Sequence, residues 1–160
     1  MRTLVLFYSL TGTTRTAATA LARELGADIE EIRCDRYQTG FWGFWRAAAD
    51  SWRKRRPAIH ALAHDPARYD AVVLAGPIWA FSPAPPLLAV IDRERLRLPK
   101  VAWLLTHGGS AGERSLALLN EVFGRKAVAA VVIKEKDVKA GPPGPSLAPI
   151  SDVLRGREAA

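Results

Sequence analysis

The sequence predicts an α/β domain built on an open, doubly wound sheet of parallel strands with helices on both faces. Three observations predict it. Short, almost wholly apolar runs recur along the chain, as in strands buried on both faces. Segments with apolar residues at helical spacing separate them. Each buried run before the last ends in a loop rich in glycine, proline or hydroxyl side chains. Strands alternating with helices require right-handed crossovers, and hence a parallel sheet. With 160 residues, of which 49% are apolar and 24% charged, the chain can bury one substantial core, so residues 1–160 are read as a single domain.

The first run, Leu4-Val5-Leu6-Phe7-Tyr8, reads as a central strand. From Thr13 to Leu25, Ala17, Leu21 and Leu25 share one helical face while Arg15, Arg23 and Glu24 turn away, and Gly26 stands at the C-cap. Ala27 to Arg33 carries charge and suits a strand near the sheet edge. Ala71 to Ala75, Val101 to Leu105 and Val128 to Ile133 repeat the apolar character of the first strand. Pro85 and Pro86 open a helix over Leu87 to Ile91, since proline is favoured in a first turn. Leu116, Leu119 and Phe123 mark another over Ser115 to Phe123, closed by Gly124. Gly76 to Pro86 reads as an irregular loop. Residues 141–160, with four prolines between Gly141 and Pro149, read as an irregular tail with at most a short last helix near Ile150 to Arg155.

The long connection from Asp35 to His64 holds Phe41, Trp42, Phe44, Trp45 and Trp52, whose spacing predicts a helix from about Phe41 to Arg53. These rings either pack against the sheet or form an exposed surface that flanks a cofactor, docks a partner or joins two copies. Arg53-Lys54-Arg55-Arg56 follows, and Arg93, Arg95, Arg97 and Lys100 form a second basic concentration within a net charge of +7. A basic surface draws anionic partners, although exposed lysine and arginine are also ordinary on a solvated face. Cys34 is the sole cysteine, which leaves no internal disulfide, no thiolate cluster for a metal and no C-x-x-C couple. Redox chemistry must then come from a bound cofactor. Arg2 leads straight into the first strand with no signal-like apolar stretch and no span, so a cytoplasmic protein that does not cross a membrane is expected.

Three loops follow the buried strands. Ser9-Leu10-Thr11-Gly12-Thr13-Thr14 aims backbone N–H groups, a helix dipole and several hydroxyls at one point, which suits a phosphate. It lacks the lysine of a Walker loop and the glycine spacing of a dinucleotide fingerprint. Gly76-Pro77-Ile78-Trp79-Ala80-Phe81 displays a large ring on which a flat π-system can stack. Thr106-His107-Gly108-Gly109-Ser110-Ala111-Gly112-Glu113 permits close backbone approach, and Ser110 with Glu113 has the spacing of a capping box. Each loop alone has a bland structural reading. All three, however, fall on the edge of a parallel sheet where open α/β folds bind ligands, and together they describe flavin mononucleotide (FMN). N–H groups near Gly108 and Gly109 would stabilise the negative charge of reduced flavin.

Tyr8-Ser9-Leu10-Thr11-Gly12-Thr13-Thr14, Gly76-Pro77-Ile78-Trp79 and Thr106-His107-Gly108-Gly109, in that order, resemble the flavodoxin family over about Arg2 to Lys134. The resemblance implies a flavodoxin-like, three-layer sandwich with a five-stranded parallel sheet of order 2-1-3-4-5, and FMN held non-covalently. It places Ser9, Leu10, Thr11, Gly12, Thr13 and Thr14 at the FMN phosphate. It places Pro77, Ile78, Trp79, Ala80 and Phe81, with Thr106, His107, Gly108, Gly109 and Gly112, around the isoalloxazine. Gly40-Phe41-Trp42-Gly43-Phe44 resembles a subgroup of bacterial and archaeal flavodoxin-like proteins. The well-studied carriers of the family are acidic and usually place a tyrosine in the third loop. Here the chain is basic with His107 and glycines in that loop, which leaves the outer flavin face open to hydride or quinone.

Two functions are expected from this reading. The first is an electron carrier whose FMN cycles between acidic redox partners. The alternative is an NAD(P)H-dependent FMN reductase of quinones or other small acceptors. A phosphoacceptor receiver would need acidic residues where Tyr8 and Ser9 stand, and a low-molecular-weight phosphatase would need a cysteine in the first loop, far from Cys34. No stable nucleic-acid complex is expected, and monomer and homodimer both stay open.

Overall fold

Alternation within β1 (Thr3–Phe7) sorts its side chains between two cores. In the computed structural model, which describes residues 1–109 and 111–156, Leu4 and Leu6 face one layer of helices and Val5 and Phe7 the other. The elements that follow are α1 (Thr13–Leu25), β2 (Asp28–Glu31), α2 (Phe41–Trp52), β3 (Ala71–Trp79), β4 (Ser82–Pro83) and α3 (Pro85–Glu94). They continue with β5 (Lys100–His107), α4 (Gly112–Phe123), β6 (Ala129–Lys134), α5 (Glu135–Ala140) and α6 (Gly144–Leu154). Five strands pair in parallel in the order β2-β1-β3-β5-β6. This is the expected 2-1-3-4-5 once the two-residue β4, antiparallel to the end of β3, is set aside.

One core joins Leu4, Leu6 and Tyr8 to Leu87, Val90 and Ile91 of α3 and to Leu119 and Phe123 of α4. The other joins Val5, Phe7 and Leu104 to Ala17 and Leu21 of α1 and to Leu147 and Ile150 of α6. Trp103 is fully buried; its indole N–H donates to Asn120 Oδ1 at 2.8 Å, so this large ring leaves no orphan donor. An ideal Cβ on Gly76 would lie 2.4 Å from Leu87 Cδ1, and Leu87 is itself fully buried. Gly76→Ala is therefore expected to destabilise by about 1–2 kcal/mol through overpacking, measured as a lowered urea midpoint at unchanged slope.

Two sequence expectations are corrected. The tail is not irregular: α6 spans Gly144–Leu154, and Leu147, Ile150 and Leu154 form a buried stripe against β6 and α1. Its prolines misled because Pro143 is the N-cap and Pro145 sits in the first turn, where a missing N–H costs nothing; Pro149 alone interrupts the interior. Nor is Gly76 to Pro86 wholly irregular. β3 continues through Trp79, turns at Ala80 and Phe81, and returns as β4 before α3 begins at Pro85. Ala80 and Phe81 both have left-handed φ, 45° and 64°, the backbone of a tight hairpin turn that glycine or asparagine would usually fill. This conformation costs about 1–2 kcal/mol per residue.

One smaller boundary also moves. α4 starts at Gly112, three residues before the expected helix, behind Ala111, which caps it without a side-chain bond. Ser110, half of the expected capping box, lies outside the described residues.

Candidate functional site

β1, β3 and β5 run parallel and end at one edge of the sheet, so the loops that follow them meet there. They enclose a cavity of 560 Å³, within the range of cofactor sites. Its lining takes Ser9, Leu10, Thr11, Thr13 and Thr14 from the first loop and the start of α1. Pro77, Ile78, Trp79 and Ala80 come from the second loop, and Thr106 and His107 from the end of β5. Residues from three distant parts of the sequence are thus brought together as expected.

The remaining predicted residues lie elsewhere. Gly12 contributes backbone as the N-cap of α1. Phe81 points out of the hairpin and is exposed. Gly108 and Gly109 border an adjoining depression with Lys134, Lys136 and Lys139, because β5 runs on to His107 and carries them past the rim. Gly112 is a packing glycine, since a Cβ there would meet Val132 at 3.0 Å.

Four features set the chemistry of the cavity. The first is the start of α1. Gly12, at φ 97°, turns the chain into the helix in a conformation open to glycine. No side chain caps the helix, which leaves its first N–H groups and its dipole for an anion. Ser9 Oγ braces the turn by accepting the Gly12 N–H at 3.1 Å.

The second is the pair Thr14 and Thr106, both buried, whose hydroxyls lie 2.7 Å apart and tie the first loop to the third. The third is Glu135, the acidic residue that lines the cavity. Its carboxylate accepts from Thr13 Oγ1 at 3.2 Å and pairs with Lys139 at 2.7 Å. The Lys139 ammonium, against an opposing effect of burial and with help from Thr13, holds Glu135 below its usual range. A carboxylate thus stands beside the helix terminus that favours anions.

The fourth is the aromatic wall. Trp79 meets Tyr8 and Tyr37 edge-on, with ring centroids 5.6 Å and 5.3 Å away. The Tyr37 hydroxyl donates to Asp50 of α2 at 3.0 Å, where the Arg36 guanidinium also donates. Burial pushes the Asp50 carboxyl up, but the hydrogen bonds from Arg36 and Tyr37 outweigh it and hold the group below its ordinary value. Ser51 Oγ donates to the Trp79 carbonyl at 2.7 Å. Asp50 and Ser51 therefore fix α2 over the loops, and α2 lays Phe44, Trp45, Ala47 and Ala48 along the cavity.

Sequence reasoning left open whether the aromatic segment packs on the sheet or stays exposed. The rings of Phe41, Trp42, Phe44, Trp45 and Trp52 are all exposed. Flanking a cofactor was one of the alternatives read for α2, and its Phe44 and Trp45 do line the cavity; Glu135 was not read as part of the site. Cys34 is half-buried, and its burial pushes the thiol up, so it rests protonated rather than as a nucleophilic thiolate.

Residues 1–141 match the family model described as NADPH-dependent FMN reductase. The chain belongs to this family. No curated protein matches the sequence. Among solved structures, this member of the FMN reductase family is similar to a flavoprotein from Lactobacillus acidophilus solved in complex with FMN. The two share 21% identity over 87% of this chain and 96% of that one, with a TM-score of 0.72. It is similar to a candidate flavoprotein from Bacteroides eggerthii at 25% identity, over 87% and 94%, with a TM-score of 0.73. It is also similar to a flavodoxin, WrbA-like protein from Agrobacterium tumefaciens at 16% identity, over 98% and 99%, with a TM-score of 0.55. The flavodoxin-like fold and FMN as cofactor, both expected from the sequence, accord with this membership.

The cavity fits FMN on its own terms. Its lining combines the hydroxyls of Ser9, Thr11, Thr13 and Thr14 and an uncapped helix terminus, which suit a phosphate, with Phe44, Trp45, Ile78 and Trp79, which suit a flat ring.

Proposed function

We propose that the chain is an NAD(P)H-dependent FMN oxidoreductase that passes electrons to a small acceptor. Family membership carries this reading over the electron carrier placed first by the sequence. Carrier and reductase need the same FMN cradle, so the loop motifs do not separate them. Bound FMN supplies the electron chemistry, accepting a hydride and returning electrons to an acceptor.

The chain's own residues do the rest. The α1 terminus with Ser9, Thr11 and Thr13 binds the phosphate. Trp79, supported by Tyr8 and Tyr37, holds one apolar wall, and Phe44 and Trp45 supply further aromatic lining. His107 lines the cavity and the lysine-bordered depression, and its Nδ1 is buried without a partner among the described residues. It is the polar group best placed to meet a substrate. The basic depression beside it, with Lys134, Lys136 and Lys139, favours an anionic donor such as a pyridine nucleotide.

The test is steady-state oxidation of NADPH and NADH by the FMN-loaded protein with a benzoquinone acceptor. Turnover that depends on the protein supports the reductase, and its absence with both nucleotides supports the carrier. Glu135 gives a second check. A neutral amide removes repulsion of the phosphate and frees Lys139, so Glu135→Gln is expected to tighten FMN binding by about threefold to tenfold, read by quenching of flavin fluorescence. Weaker binding would mean that the carboxylate orders the loop instead.

A further inference from the structure

Helix α2 leaves its aromatic side unpartnered. Phe41, Trp42, Phe44, Trp45 and Trp52 are 55% to 80% exposed. At the helical 100° per residue they project over an arc of about 160°, a single face three turns long. Phe81, at the tip of the strained hairpin, adds a further exposed ring beside Trp52. The buried side of the same helix, Ala47, Asp50 and Ser51, is occupied by contacts to the protein, so the aromatic face is not an accident of a loosely held segment.

The composition of the face and its rim identify what covers it. It holds tryptophan and phenylalanine with no leucine, isoleucine, valine or methionine, the make-up of segments that lie in the headgroup layer of a bilayer rather than in a protein core. Its rim is cationic. Arg46, Arg53 and Lys54 are exposed and form no ion pair among the described residues. Arg55 and Arg56 of the same run pair with Asp50 and Asp92, and in the second basic concentration Arg93 and Arg97 pair with Glu94 and Asp65 while Arg95 and Lys100 form no ion pair among the described residues. Three exposed cations without an ion pair among the described residues thus stand at the aromatic helix. A second copy would bring a like-charged rim against this one, whereas an anionic lipid surface complements it. No helix among the described residues is long and apolar enough to cross a membrane, so contact would be interfacial.

We propose that the aromatic face of α2 docks on an anionic bilayer surface, Phe41, Trp42 and Trp52 entering the headgroup layer and Arg46, Arg53 and Lys54 meeting lipid phosphates. Phe44 and Trp45 belong both to this face and to the cavity wall, so docking sets the mouth of the cavity against the lipid. The proposal goes beyond the oxidoreductase reading and does not depend on it.

The experiment is co-sedimentation of the FMN-loaded, full-length chain with vesicles of phosphatidylglycerol and phosphatidylcholine in equal parts, and with phosphatidylcholine alone. Flavin absorbance is recorded in the same samples, so a failure of FMN binding is seen separately from a failure of docking. Binding to the anionic vesicles is expected, weakening in high salt, with a blue-shifted tryptophan emission. Trp42→Ser is expected to lower partitioning about tenfold, and Arg53→Glu with Lys54→Glu by a similar factor. Both variants alter exposed side chains outside the cavity and should keep wild-type FMN occupancy, which also reports that they are folded. Equal binding to neutral vesicles, no binding to either, or binding unaffected by Trp42→Ser would overturn the proposal. So would a dimer in sedimentation velocity that Trp42→Ser dissolves without any vesicle binding, which would make a second copy the occupant.

Discussion

Thr13→Glu is expected to weaken FMN binding by at least about a hundredfold. Thr13 is the first residue of α1, and its hydroxyl already holds the Glu135 carboxylate at the edge of the cavity. A second carboxylate there would stand where the helix terminus is open to the phosphate and would repel it at short range. It would also itself be stabilised by the helix dipole, so it would not readily leave. Thr11→Glu, from the same lining, should act in the same direction. Thr13→Val removes only a hydroxyl and should cost about tenfold or less. Fluorescence titration with FMN checks all three. Unchanged affinity in both acidic variants would show that the phosphate lies elsewhere.

Asp50→Ala is expected to cost about 3 kcal/mol of stability. On a chain of this length that lowers the thermal midpoint by roughly 8 °C. Asp50 is buried and accepts from Tyr37 and Arg36 at once, so its removal leaves a buried hydroxyl without an acceptor and a guanidinium without its partner. Because Tyr37 also supports Trp79, and α2 carries Phe44 and Trp45, FMN affinity should fall with stability. The pH dependence follows from the direction of the Asp50 shift. The carboxyl lies below its ordinary value in the folded chain, so its stabilisation is complete above the usual carboxylate range, near pH 4, and is lost as pH falls from that range on through the lower folded value. Wild type should therefore lose stability on acidification more steeply than Asp50→Asn, measured by urea unfolding across a pH series.

Much of the fold was legible because its signals are local. The alternation in β1, the helical spacing from Ala17 to Leu25 and Gly26 at the C-cap each state their element directly. The placement of three hydroxyl-, proline- and glycine-rich segments after buried strands was enough to bring Ser9, Trp79 and Thr106 into one cavity. What was not legible depends on packing. α6 was hidden by proline density, since only its contact with β6 and α1 makes Leu147, Ile150 and Leu154 a buried stripe. The return of β3 into β4 needs two non-glycine residues in left-handed conformation, which local preference argues against. Glu135 reaches the site from beyond β6, far in sequence from Thr13, and no motif announces such a pair. The orientation of α2 could not be read from its spacing, because an arc of aromatic residues looks the same whether it faces a core or a solvent.

The most direct test of the account is anaerobic titration of the FMN-loaded protein with NADPH, followed by flavin absorbance. The flavin spectrum is expected to bleach on addition of about one equivalent, with NADH as a second donor to compare. A protein that retains FMN but bleaches only with dithionite would contradict the oxidoreductase reading and restore the carrier. A protein that retains no FMN would contradict the site itself.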